Sequence, residues 1–131
     1  MTSKIETFAR LHIPGNPLIL FNIWDAGSAK AVAEAGALAI ATGSYGVAEA
    51  QGFKDGEAFT LDLALTNLER IVGVTDLPVT LDMESGYGAT AEDVGRSVAA
   101  ARAAGAVGIN LEDRMPGIAE LTPVAEQARR I

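Results

Sequence analysis

Residues 81–88 read LDMESGYG and set two carboxylates, Asp82 and Glu84, two positions apart where an apolar run gives way to glycines. Residues i and i+2 of a strand share a face, so the pair converges if the strand extends through Glu84. A later apolar run ends in NLED, which puts Glu112 and Asp113 at the corresponding end of a neighbouring strand. Three or four acids gathered in one place repel one another unless a cation lies between them. The donors are hard oxygens, the chain has no Cys, and its one His, His12, stands in the N-terminal segment. The cation expected is therefore Mg²⁺ or Mn²⁺ rather than zinc, with some carboxylates reaching it through water. Spacing alone leaves a second reading open, in which these are solvated loop acids among the 17 acidic residues of the chain.

The elements that would carry these acids alternate regularly. LILFN (18–22) is a short apolar run without alternation, as expected of a strand buried on both faces of a parallel sheet. Trp24 and Asp25 follow it, and AGSAKAVAEA predicts a helix ended by Gly36, with Asp25 as its N-cap rather than a ligand. ALAIAT (37–42) is the second strand, and GSYG (43–46) is read as its loop. After a long connection, Thr60 introduces LDLALTNLERIV, whose leucines at 61, 65 and 68 form a helical stripe. VTLDM is the third strand, Thr90 with Asp93 caps a helix to about Ala104, and AVGINL is the fourth strand. Thr122 and Pro123 then open a last helix that reaches Ile131. AEAGALAIAT and ARAAGAVGIN look like two copies of one helix-to-strand joint.

Four strand–helix units in 131 residues predict a single α/β domain over 1–131 with a parallel sheet and right-handed crossovers. An open doubly wound sheet should show G-x-G-x-x-G after its first strand, and WDAGSA has no such turn. Polar or acidic residues follow every strand, as in a (β/α)8 TIM barrel whose strand ends build one site. A whole barrel takes about 250 residues, so the expectation is about half a barrel. The net charge of −7 offers no basic stripe for nucleic acid or an anionic membrane, and neither partner is expected. Without Cys, a secretory signal or an apolar run long enough to span a bilayer, the simplest setting is cytoplasmic.

Three blocks carry a family resemblance: FNIWDAGSAKAVAEAGALAIATGSYGVAEAQGFKDGE, LPVTLDMESGYG and GAVGINLEDR. Together they resemble the isocitrate lyase and phosphoenolpyruvate mutase superfamily, in particular its shorter oxaloacetate decarboxylase-like and carboxyphosphonate mutase-like members. That resemblance implies a (β/α)8 barrel that binds Mg²⁺ and a small 2-oxo carboxylic acid and works through an enolpyruvate-like intermediate. It implies Asp82, Glu84 and Glu112 as metal residues and Asp55 as a catalytic acid near the reacting centre. It also implies Ser44, Tyr45 and Gly46 as the group that holds the substrate carboxylate. The superfamily's lyases carry a Lys-Lys/Arg-Cys-Gly-His loop after the fourth strand, where this chain reads EDRMPGIAEL, which argues against an isocitrate or methylisocitrate lyase. The expected reaction is decarboxylation or a related cleavage. The alternatives are a phosphonopyruvate mutase or hydrolase relative, and a catalytically inactive half-barrel that self-associates.

Open apolar edges at the first and fourth strands predict a homo-oligomer. Trp24 is read as pocket rim or packing, Tyr87 as a candidate for shielding the site, and His12 as a surface residue. Gly86 and Gly88 would let the loop pass close to a ligand.

Overall fold

The computed structural model describes residues 3–131; Met1 and Thr2, the start of the expected domain, lie outside the described residues. Four strands form one parallel sheet, β1 (Asn22–Ile23), β2 (Ile40–Thr42), β3 (Val79–Asp82) and β4 (Gly108–Asn110), in the order β1-β2-β3-β4. Ala41 pairs with Asn22 and Thr80, and Leu81 with Ile109. Doubly wound sheets reverse direction at a switch point, whereas a barrel adds each strand beside the last. The uninterrupted order is therefore the barrel's, carried through four of its strands. β2 is buried along its whole length, and β3 as far as Leu81, which explains their unalternating sequences.

Six helices accompany the sheet among the described residues: α1 (Lys4–Leu11), α2 (Ala26–Glu34), α3 (Ser44–Ala50), α4 (Leu61–Val72), α5 (Ala91–Ala103) and α6 (Val124–Arg130). α2 touches α4, α4 touches α5 and α5 touches α6, so the crossover helices run in single file beside their strands. The core between helices and sheet is aliphatic, with Ile23, Ile40, Leu68, Ile71, Val79 and Met83 almost wholly buried. Burying each such side chain contributes about 1.5–3 kcal/mol, so the low aromatic content leaves a workable core. No helix among the described residues is long and apolar enough to cross a membrane.

Local signals account for most boundaries. Asp25 caps α2 by accepting from the Ser28 N–H at 2.7 Å, and Thr90 caps α5 with Asp93 closing the reciprocal bond. Gly36 and Gly105 end the two similar joints with φ of 96° and 106°, a left-handed backbone that side chains other than glycine resist.

Several expectations need correction. β1 lies at 22–23 rather than 18–22, because only Asn22 and Ile23 face the ladder of β2, while Ile19 and Phe21 are exposed. GSYG is not a loop: Gly43 is the N-cap of α3, and the helix begins at Ser44. The N-terminal segment, to which no element was assigned, is the helix α1, capped by Ser3 and Glu6 in an S-x-x-E box. Thr60 precedes α4 without a side-chain capping bond, and Pro123 rather than Thr122 stands at the cap of α6. β3 stops at Asp82, so Glu84 is not a strand residue.

Candidate active site at the strand ends

The acids collect beyond the C-terminal ends of β3 and β4, and Asp82 is the best anchored of them. Its Oδ2 accepts the Ser44 N–H from the first turn of α3 at 3.0 Å, and its Oδ1 accepts the Glu84 N–H at 3.1 Å. Its own N–H donates to Thr42 Oγ1 at 2.9 Å, which ties β3 to the end of β2. The carboxylate is thus fixed by two backbone donors and lines a cleft with Trp24, Ser44, Tyr45 and Gly46. Ser44 and Gly46 are partly buried, whereas Tyr45 is exposed. Trp24 is also exposed, at the cleft rim, while its carbonyl accepts from the buried Asn67 side chain at 2.9 Å.

Glu84 sits differently from the strand geometry expected of it. With φ of +48° it turns out of the sheet line, and its side chain is 4% exposed. Its Oε2 accepts the Glu57 N–H at 2.6 Å and its Oε1 accepts the Tyr87 hydroxyl at 3.3 Å. Among the described residues no three acidic or imidazole side chains converge closely enough to hold one ion. Asp82, Glu84 and Glu112 lie near one another at the strand ends without closing into such a group.

Glu112 begins the segment after β4, and its N–H donates to the Glu84 carbonyl at 2.7 Å, so the two loops lie side by side. Asp55, Glu84 and Glu112 line a second cleft of about 410 Å³ together with Arg114 and the 115–119 loop. Desolvation raises the Glu112 carboxyl above its usual range, and the charges of Asp82 and Asp55 push it further. Burial likewise raises Glu84, with Asp55 adding to the shift and the Glu57 N–H opposing it. The Tyr87 hydroxyl is pushed up by burial and by Glu84, so it stays protonated and acts as a donor. An array that resists its own ionisation is suited to a cation or a proton. Asp25 lies apart from it, its carboxyl lowered by the Ser28 N–H in the helix cap. His12 is exposed, its Nδ1 2.9 Å from the Phe8 carbonyl oxygen.

Three participants escaped the sequence. Glu57 reaches from the α3–α4 loop into the β3–α5 loop, where its Oε1 accepts from the Tyr87 N–H at 3.0 Å and from Ser85 Oγ. Arg130 on α6 is 6% exposed and donates to the carbonyls of Ser85, Gly88 and Ala89 at 2.7, 3.0 and 3.1 Å. Gln127, one turn earlier, donates to the Glu112 carbonyl at 3.1 Å. The only sequence signal for Glu57 was its place two residues after Asp55, and α6 offered none. All the non-glycine residues with positive φ among the described residues, Glu57, Glu84 and Tyr87, meet in this region. Each costs about 1–2 kcal/mol, which the shared hydrogen bonds must offset.

The phosphoenolpyruvate phosphomutase family matches the sequence over residues 8–131. Among curated proteins, the chain is 35% identical over 116 residues to 2-methylisocitrate lyase of Escherichia coli strain K12, covering 80% of this chain and 39% of that protein. A crystal structure of a candidate phosphonomutase from Burkholderia cenocepacia J2315 superposes with a TM-score of 0.94 at 56% identity, covering 97% of this chain and 52% of that one. A phosphonopyruvate hydrolase crystallised with oxalate and Mg²⁺ shares the fold with a TM-score of 0.91 at 21% identity, covering 98% of this chain and 46% of that one. The chain thus spans about half the length of these relatives or less.

Proposed function

This chain belongs to the phosphoenolpyruvate phosphomutase family, and from that premise we propose that it forms the metal- and substrate-binding half of a Mg²⁺-dependent lyase or decarboxylase. The substrate is a small 2-oxo acid, cleaved through an enolpyruvate-like intermediate. The observation that carries this reading is Asp82, a carboxylate oriented by the Ser44 and Glu84 N–H groups at a strand end beside Glu112 and Asp55.

The donor set fits Mg²⁺, or Mn²⁺, held by one or two carboxylates with water completing the shell. In this reading Asp82, Glu84 and Glu112 would hold the ion, directly or through water, with Asp82 the carboxylate fixed by backbone donors on both oxygens. The relative crystallised with oxalate and Mg²⁺ supports the choice of metal. When bound, the ion supplies positive charge beside the ketone oxygen, where negative charge gathers as the neighbouring bond breaks.

The chain's own residues then bind and orient. The Ser44 N–H is committed to Asp82, so Ser44 offers its hydroxyl to the substrate carboxylate, with Tyr45 and Gly46 beside it in the same cleft. Fixing that carboxylate aims the scissile bond, which is where positioning contributes most to rate. Asp55, facing the cleft from the α3–α4 loop, holds or moves a proton at the reacting carbon. EDRMPGIAEL has no cysteine, which favours decarboxylation or a related cleavage over methylisocitrate cleavage. In this reading the enzyme works in the cytoplasm as a homo-oligomer, a state that light scattering reads directly.

Calorimetric titration of Mg²⁺ and Mn²⁺, with and without oxalate, tests the reading. Metal-dependent oxalate binding is expected, and Asp82→Asn should weaken metal binding at least about tenfold. Unchanged affinity in Asp82→Asn would remove the proposed ligand. The 56% identity to a candidate phosphonomutase favours one second reading, a phosphonopyruvate mutase or hydrolase. Turnover of phosphonopyruvate but not oxaloacetate by the chain would select it.

A further inference from the structure

We propose that Glu57 is a positioning residue: its clasp to the β3–α5 loop fixes the α3–α4 loop, and so sets Asp55, over the candidate metal site. The inference rests on the reading of the acidic cleft given above, but its geometry stands independently of that reading.

The clasp is reciprocal. The Glu57 N–H donates to the Glu84 carboxylate at 2.6 Å, while the Glu57 carboxylate accepts the Tyr87 N–H at 3.0 Å and the Ser85 hydroxyl. Tyr87 closes the ring by donating its hydroxyl to Glu84 at 3.3 Å. Two loops about 30 residues apart in sequence are thereby joined through both backbone and side chain of one residue. A solvent-facing glutamate would need neither a left-handed backbone nor buried partners, yet Glu57 has φ of +63° and Ser85 and Glu84 are 1% and 4% exposed. Strain of this kind persists only where the surroundings over-determine it, and here the surroundings are the clasp.

What the clasp holds is the segment FKDGE. Phe53 and Phe59 pack edge to face at 5.3 Å, and Phe59 is buried, so the two ends of the loop are anchored by rings. Between them Lys54, Asp55 and Gly56 are exposed. Glu57 is the polar anchor nearest Asp55, and Asp55 lines the cleft with Glu84 and Glu112. Glu57 lies outside the metal and substrate groups assigned above; its N–H touches Glu84, and its side chain acts on the cleft by setting Asp55.

Two measurements on the full chain test this. Amide hydrogen exchange without metal should show protection at Phe53 and Glu57, the residues of the 53–58 segment whose N–H groups are hydrogen-bonded, and Glu57→Ala should speed exchange at both positions by about tenfold or more while leaving β2 and β3 unchanged. Unchanged exchange, or acceleration throughout the chain, overturns the proposal. The second is a double-mutant cycle read by calorimetric binding of oxalate in the presence of Mg²⁺. Glu57→Ala and Asp55→Asn should each weaken binding by about tenfold, and the double variant should be no weaker than Asp55→Asn alone. Effects that multiply would mean that Glu57 acts independently of Asp55, and the proposal fails. If the wild type binds no oxalate, the functional reading fails, and hydrogen exchange alone decides whether Glu57 fixes the loop.

Discussion

Replacing Arg130 by Met should destabilise the fold markedly. Met keeps much of the apolar stem and removes the guanidinium, so the perturbation isolates three hydrogen bonds, to Ser85, Gly88 and Ala89. Hydrogen bonds to a charged donor contribute about 1.5–3 kcal/mol each, a gross loss of roughly 5–9 kcal/mol. Against this stands the desolvation of a guanidinium that is 6% exposed and whose Nε has no partner, a cost of several kcal/mol that the variant escapes. The net effect expected is about 2–4 kcal/mol. With a urea slope of roughly 2 kcal/mol per molar, the unfolding midpoint should fall by about 1–2 M. Arg129→Met is the internal control, since that side chain is 68% exposed and pairs only with Glu126 one turn away. Its effect should stay within about 0.5 kcal/mol. A midpoint for Arg130→Met within about 0.3 M of the wild type would refute the reasoning, because the three hydrogen bonds would then contribute nothing net to stability.

Stability should also depend on pH through the cleft. Burial holds the Glu84 and Glu112 carboxyls above the usual carboxylate range in the folded chain, so it keeps protons that the unfolded chain releases. Their contribution is fully present below the unfolded value and is lost as pH rises through the folded values. Urea midpoints across that window should fall less steeply in Glu84→Gln than in the wild type; equal slopes would dismiss the burial of Glu84 as the cause. Gly105→Ala should cost about 1–3 kcal/mol by thermal unfolding, since φ is +106° and a Cβ there would meet Val72 Cγ1 at 3.0 Å. A loss of less than about 0.5 kcal/mol would show that the joint relaxes freely. Thr90→Ala removes the side chain that accepts the Asp93 N–H at 3.1 Å and should cost about 1 kcal/mol, with helicity lost at the start of α5.

Much of the fold could be read from particular residues. The unalternating ALAIAT and VTLDM runs marked β2 and β3, the strands buried most completely. Asp25 and Thr90 announced helix starts with side chains that do cap, because a capping bond is made within three residues and needs no distant partner. Failures came where the signal was short or shared. SYGVAEA forms a helix that begins directly at the β2 end, yet glycines before and within it read as a loop. LILFN is more apolar than Asn22 and Ile23, yet a strand exists only where a neighbour offers a ladder, and β2 offers it to the latter.

The candidate site divides along the same line. By itself the sequence determined that acids follow β3 and β4, that soft ligands are absent, and that strands and helices alternate. These properties belong to residue type and to periodicities of two and 3.6. The tertiary structure decided that the strands are added in consecutive order, that Glu84 leaves the strand line at φ of +48°, and that Asp82 is oriented by Ser44. It also decided that Glu57 and Arg130 hold the loops between them. Those long-range contacts join residues 27 to 45 positions apart. No local propensity reports such a contact, because its geometry exists only after the sheet has brought the strand ends side by side.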